Sequence, residues 1–364
     1  MRVTWGQALA WRMRRHHLEE LDGGGAVDVA RRLCGVQAQV ASSAALAVAA
    51  RQKEPDTEAT AKALRKRDLV RTWAMRGTLH LLPCEDAGSY LALLAGARTW
   101  TTGSWQKNYL SVTEMERLTE AVRSALESGD ALTRDELVAR IDESGGTSKL
   151  TEHVSSGWSS VLKPLAWQGI LCQGPSEGGR VTFIRPEAWS PRWTGLPDED
   201  AAAAHVVRSY LAAHGPATMT GLDQWLLRGT TPKAKLRRWF ADLGDDAVTV
   251  DVEGTAAYLL AEHEDDLRNT KPSTTVRLLP GFDQYVLAPG TGDATVLDAA
   301  HRADVSRAAG WIAPVVVAGG RVVGTWTAEN GTPVTEVWAK RVPAAKLAAE
   351  KERMARLTAK RPPA

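Results

Sequence analysis

Two carboxamides, Gln37 and Gln39, stand two residues apart in the otherwise apolar run Gly35-Val36-Gln37-Ala38-Gln39-Val40. A side-chain amide carries a carbonyl acceptor and two N–H donors and does not titrate near neutral pH. Neither residue can therefore take a full proton as Asp, Glu or His would. Such a pair can hold a small polar molecule, for example a water, or it can satisfy buried backbone groups where two helices meet. The residue types leave both readings open. Upstream, Ala26, Val29, Ala30, Leu33 and Cys34 recur at helical spacing, and Gln37 falls where the next buried residue of that stripe belongs. Two positions along a helix are roughly 200° apart, so the amides face one target only if the backbone between them is extended or irregular. Gly35 permits such a break, and Ser42-Ser43 is expected to cap a fresh helix through Ala44-Ala45-Leu46-Ala47-Val48.

Other reactive side chains are isolated. His80 sits inside a hairpin pattern, as a base or as a satisfied structural histidine, and is ranked as supporting structure. Asp283 follows the Leu279-Pro280-Gly281 turn, where an Asx turn accounts for it, and is ranked likewise. Cys34, Cys84 and Cys172 lie far apart without Cys-x-x-Cys spacing, so neither a disulfide framework nor a structural zinc is suggested. The zinc-deaminase signature is absent and no lysine is marked as a Schiff-base nucleophile. No metal and no cofactor are expected.

At 364 residues the chain exceeds what one hydrophobic core usually organises, so two to four modules are expected. A formal net charge of +2 means that affinity for a polyanion must come from local clusters of Lys and Arg. No apolar run reaches membrane-spanning length and Met1-Arg2-Val3-Thr4-Trp5 has no secretory character, so a cytoplasmic protein without membrane contact is expected. The 14 tryptophans, against 3 Phe and 5 Tyr, read mostly as core anchors, a few of them free to stack on bases.

The elements that must position these residues follow from periodicity and caps. Thr4 to His16 reads as a helix, another begins near Asp28, and, beyond the helix through Ala44 to Val48, one more runs to Leu64 after Pro55. Leu69 to Leu82 alternates apolar and polar residues around Arg76-Gly77, a β-hairpin. The order recurs: Met115 to Leu126, a capping box Thr133-Arg134-Asp135-Glu136, Ser155 to Gln168 interrupted by Pro164, then a hairpin from Leu171 to Ile184. It recurs again in Ala201 to Ala213, Met219 to Leu227 and Pro232 to Leu243, with strands at Val248 to Val252 and Ala256 to Leu260. Helices followed by a hairpin make a winged helix, and three copies make a tandem array. Short β-rich runs follow at Val276 to Leu279, Tyr285 to Ala288, Ile312 to Val317, Arg321 to Trp326 and Val334 to Trp338. The expected class is α+β: three winged-helix modules (residues 1–112, 113–197 and 198–270), a small β-barrel-like domain (271–345) and a basic tail (346–364). From Lys340 to Arg361 the chain is helix-prone and carries eight Lys or Arg against two Glu, as a solvated helix or as a phosphate contact.

The Gln37-Ala38-Gln39 motif does not stand alone. Together with Leu69-Val70-Arg71-Thr72-Trp73-Ala74-Met75-Arg76-Gly77-Thr78-Leu79-His80-Leu81 and Leu278-Leu279-Pro280-Gly281-Phe282-Asp283, it resembles the tandem winged-helix DNA glycosylases that unhook interstrand crosslinks. The resemblance runs from about Trp5 to about Val342. It is nearest the azinomycin self-resistance branch, whose signature is Gln, apolar residue, Gln, where related bacterial members have Gln, apolar residue, Asp. It implies a monofunctional hydrolytic glycosylase acting on double-stranded DNA that contains alkylated purines or crosslinks, with Gln37 and Gln39 orienting the water that attacks C1′. It also places Asp283 in a family motif. An N7-alkylguanine already carries positive charge and departs as a neutral base, so little leaving-group protonation is required, and fixed carbonyl dipoles suffice to place a water and to stabilise the positive sugar. Glutamine in place of aspartate sets an expectation of weak activity on uncharged lesions.

In a winged helix the third helix commonly enters a groove while the wing follows the backbone. By that logic Arg71, Arg76, Lys163, Arg180, Lys233, Lys235, Arg237 and Arg238 are candidate DNA contacts, each also readable as a solvated surface residue. In the third hairpin Asp251 and Glu253 would repel phosphate, so its helix is the better candidate, whereas two glycines beside Arg180 suit entry into a minor groove. A winged-helix transcription regulator and a non-catalytic drug- or lesion-binding protein are the rival readings. Regulators normally dimerise, and this chain offers no zipper or apolar dimer helix, so a monomer is expected.

Overall fold

The computed structural model describes residues 1–143, 147–156 and 160–359. Within that span the chain is a mixture of helix and sheet, divided into two compact units: residues 1–62 with 207–364, and residues 63–206. No described helix is long and apolar enough to cross a membrane.

The discontinuous unit is organised by its first helix, Trp5–Arg15. Thr4 caps it as expected: its hydroxyl accepts from the Gln7 amide, and the Gln7 side chain accepts from the Thr4 amide at 3.0 Å. Two faces of this helix are apolar. Ala8 and Trp11 pack on Val250, Val252, Ala257 and Leu259, which belong to the hairpin Ala247–Val252 and Thr255–Leu260. Arg2–Val3 adds a parallel edge strand to that hairpin, with Arg2 opposite Asp251. On the other face Leu9 and Met13 pack on a four-stranded antiparallel sheet, Val276–Leu279, Val315–Ala318, Arg321–Glu329 and Thr332–Val337 in that order. Alternation along these strands sends Leu279, Val315, Val317 and Val322 toward the first helix. Val276, Leu278, Val316 and Val323 face Leu46, Met354 and Leu357 on the opposite side. A sheet buried on both faces reads as nearly continuous valine, as it does here.

The basic segment at the C-terminus is the helix Ala344–Ala359, which covers this sheet. Its Glu350 is buried, accepts from the Leu278 amide at 3.0 Å and pairs with Arg353 at 2.7 Å. Arg353 is thus used internally. Lys360 and Arg361 lie outside the described residues.

In the second unit the strands run in the order Leu79–Pro83, Leu69–Trp73, Cys172–Gln173, Thr182–Ile184, Leu132–Thr133. The first hairpin turns where expected, with Arg76 (φ 58°) and Gly77 (φ 71°) both left-handed. Arg71 opposite Gln173 joins it to the second hairpin. Thr133 and Glu136 form the expected reciprocal cap of the helix Arg134–Glu143. Pro164 does not interrupt a long helix. It occupies the first turn of the short helix Leu162–Trp167, where its missing N–H is harmless, and Ser148–Ser155 is a separate helix. Of the helix expected from Ser155 to Gln168, residues 157–159 lie outside the described residues.

One run differs from its strand reading. Tyr285 to Ala288 belongs to a helical turn, Gln284–Leu287, because Asp283 accepts from the Tyr285 amide at 2.9 Å and caps it. Its buried Tyr285, Val286 and Leu287 are apolar enough to pass for a core strand.

Candidate functional site

The helix Ala26–Arg32 stops before Gln37, so the amide pair is not carried on its stripe. Cys34 (φ 57°) and Gly35 (φ 102°) are both left-handed, and the Gly35 amide donates to Ala30 O at 2.7 Å, closing the helix end. Val36–Gln37 is then extended, and a new helix spans Ala41–Ala49. Its cap is Val40 rather than a serine: the Ser43 amide donates to Val40 O at 3.0 Å and no side chain caps the end. Val40 packs against the apolar cluster of the four-stranded sheet, and this contact starts the helix earlier than the serines would.

On this short segment the two amides differ in setting. Gln37 is 5% exposed, and its Oε1 has no hydrogen-bond partner among the described residues. Gln39 is exposed. A buried carbonyl without a donor costs about 1–3 kcal/mol, so its retention calls for a donor supplied from elsewhere. The non-helical backbone removes the 200° separation that a continuous helix would impose.

The segment is braced from behind by a pair that sequence reasoning met only in half. Asp283 is fully buried and takes a bidentate contact from Arg51, with Nη1 at 2.8 Å from Oδ2 and Nη2 at 2.7 Å from Oδ1. Arg51 Nη1 also donates to Ala47 O at 2.8 Å, which ties Asp283 to the end of the helix that the Gln-x-Gln segment opens. Asp283 is therefore both an Asx-type cap and an ion-pair partner. The sequence signal for Arg51 is a lone arginine closing the apolar stretch Ala44 to Ala50.

His80 lies in the second unit, fully buried in the strand Leu79–Pro83. Its Nδ1 donates to Thr78 O at 2.9 Å, Nε2 has no partner among the described residues, and burial pushes its pKa down to about 3. It is a neutral core imidazole. Because the folded pKa lies below the ordinary value of 6.5, the unfolded chain binds the extra proton. The contribution is fully present above about pH 6.5 and is lost as pH falls toward 3, on the order of 5 kcal/mol at the limit. Buried His214, held down to about 3 by burial, acts in the same sense. We expect acid unfolding followed by circular dichroism to steepen below pH 6.5, and His80→Leu to flatten part of that slope; an unchanged slope would show that His80 titrates normally.

The basic candidates fall into separate groups. In the second unit, Lys163 lies against the Arg76-Gly77 turn, its Cδ 3.5 Å from where a Cβ on Gly77 would stand. Arg71 is half-buried and its pKa is lowered by burial, while Arg180 is exposed at the second hairpin tip, 3.7 Å from Glu177. In the first unit, Lys233, Arg237 and Arg238 are exposed on the helix Lys233–Ala241, and Lys235 lies over the Trp239 ring at 6.0 Å. Among the described residues no group of three or more His, Cys, Asp or Glu is placed to hold a metal ion, and Cys34, Cys84 and Cys172 are buried.

Residues 30–357 match the family model described as DNA glycosylase AlkZ-like. The chain is 49% identical over 328 residues to an interstrand DNA cross-link repair glycosylase of Streptomyces sahachiroi, covering 90% of this chain and 88% of that protein. The solved structure of the Streptomyces sahachiroi DNA glycosylase AlkZ superposes with a TM-score of 0.93 at 46% identity, covering 98% of this chain and 97% of that one.

Proposed function

Because the chain belongs to the AlkZ-like DNA glycosylase family, we propose that it hydrolyses the N-glycosidic bond of bulky N7-alkylpurines and unhooks azinomycin-type interstrand crosslinks, with Gln37 and Gln39 as the catalytic pair. The observation that carries this reading is the buried Oε1 of Gln37, unpartnered among the described residues, on a non-helical segment that also bears Gln39. A water donating to that oxygen would satisfy it and be held with a lone pair free for C1′. As the C1′–N9 bond breaks, its electron pair neutralises the cationic base. The water oxygen bonds C1′, and the surplus proton passes to solvent, since an amide does not accept it. The amide dipoles also stabilise the positive sugar during the step.

The finer architecture is part of the same proposal. Each helix-and-hairpin repeat, with bounds 1–112, 113–197 and 198–270, serves as a winged-helix module on duplex DNA, ahead of a β-rich domain (271–345) read as barrel-like and a basic tail (346–364). Arg71, Arg76, Lys163, Arg180, Lys233, Lys235, Arg237 and Arg238 supply phosphate contacts, and the protein acts as a monomer.

Without a general acid, excision of an uncharged base should lag by about 10²–10⁴-fold. Purified protein incubated with duplexes containing either 7-methylguanine or uracil should release the first and spare the second. Equal release would overturn the role given to the amides, and no release from either duplex would overturn the enzyme reading in favour of a lesion-binding protein.

A further inference from the structure

One cleft of the first unit is lined by neither residue of the amide pair. About 530 Å³ in volume, it is lined by Arg15, His17, Arg31 and Arg32 together with Asp22 and Asp28. Three arginines line it beside two aspartates, and Asp266 and Glu262 also act on Arg15. Asp28 is engaged by the Gly25 amide at 3.0 Å and stands 4.0 Å from Arg31. Arg15 is oriented by donating Nε–H to Ala212 O at 2.8 Å, and its guanidinium lies 5.6 Å from the centre of the Trp11 ring. Arg32 is half-buried with no ion pair or hydrogen bond to its guanidinium among the described residues. Burial and the neighbouring Arg32 charge push the Arg15 pKa down to about 10. His17 occupies a left-handed position (φ 52°) where the helix Trp5–Arg15 reverses, with the Leu18 amide donating to Met13 O at 2.8 Å. Glycine is the usual residue there, so histidine is kept at some cost in backbone energy.

We propose that this cleft binds a phosphodiester of the DNA backbone flanking the target nucleotide, with Arg32 as its principal contact and Arg15 and His17 beside it. The proposal rests on the glycosylase reading for its ligand. A planar guanidinium half-withdrawn from water and lacking a carboxylate is suited to a tetrahedral anion with two accessible oxygens. Chain geometry limits where that anion lies. Arg32 is five residues before Gln37, so their Cα atoms are at most about 18 Å apart, or about five nucleotide steps of a duplex. A strand gripped here would therefore enter the site in a constant register whatever its sequence, since phosphate contacts position without reading bases.

The test is equilibrium binding of an undamaged duplex and of a 7-methylguanine duplex by fluorescence anisotropy across a salt series, for wild type, Arg32→Gln and Arg32→Lys. Arg32→Gln should weaken both duplexes alike, by about five- to tenfold near 0.1 M salt, and lower the salt slope by about one. Arg32→Lys should restore most of the slope, which excludes misfolding as the cause. An unchanged slope in Arg32→Gln, with wild-type base release intact, would overturn the phosphate site and leave the glycosylase reading standing. No base release by wild type would remove that reading and leave the slope measurement to judge the cleft alone. A third arm uses inorganic phosphate at constant ionic strength. If it raises the melting temperature of wild type but not of Arg32→Gln, while duplex affinity is equal in both, the cleft serves a free phosphate and the backbone assignment is overturned.

Discussion

Replacing Gln37 by methionine is expected to slow base release from a 7-methylguanine duplex by about 10²–10³-fold, the cost commonly found when one preorganised dipole is removed from a developing charge. Methionine keeps the volume of the side chain and removes its carbonyl. The substitution also removes an unpartnered buried acceptor, so stability should hold or rise slightly. The thermal melt and the rate are thereby expected to move in opposite senses, which a merely structural Gln37 would not allow. Gln39→Ala should lose rate over the same range with duplex affinity retained, since Gln39 is exposed and its truncation leaves no cavity. Single-turnover release at saturating protein, beside anisotropy on the same duplex, separates the chemical step from binding. Wild-type rates in both variants would leave the amides without a catalytic role.

The second large effect concerns the brace. Arg51→Met alone, or Asp283→Leu alone, leaves a fully buried charge without its partner, and each is expected to destabilise the first unit by about 3–5 kcal/mol. The double variant Arg51→Met, Asp283→Leu should recover most of that loss, because two apolar side chains of similar bulk need no counter-charge. It would still lack the Arg51 bond to Ala47 O and the Asp283 cap on Tyr285. A urea titration of the four proteins closes the cycle. Additive losses in the double variant would show that the two residues act independently. Recovered stability with impaired base release would indicate that the pair also positions the Gln-x-Gln segment through the helix Ala41–Ala49.

Much of the local structure was legible along the chain. The Thr4 cap, the reciprocal Thr133 and Glu136 cap, the Arg76-Gly77 turn and the helix Met219–Leu227 are each decided by a few neighbouring residues whose hydrogen bonds close within one turn. The readings that failed were those in which a distant contact outweighed a local preference. Ser42-Ser43 is an adequate cap, but Val40 gains more from the apolar cluster beside it. Tyr285 to Ala288 has strand-like composition, but the Asp283 carboxylate is held by Arg51 and caps a helical turn there.

The candidate site divides in the same way. Residue types alone determined that Gln37 and Gln39 could hold and orient a molecule but not take its proton, because an amide does not titrate in this range. Tertiary structure alone decided that Gln37 is buried with an open acceptor while Gln39 reaches the surface, that Asp283 has Arg51 for a partner 232 residues away, and that Arg15 and Arg32 line one cleft. Burial and long-range pairing depend on which surfaces meet after folding, and a linear sequence records the chemistry of each surface without recording its neighbour.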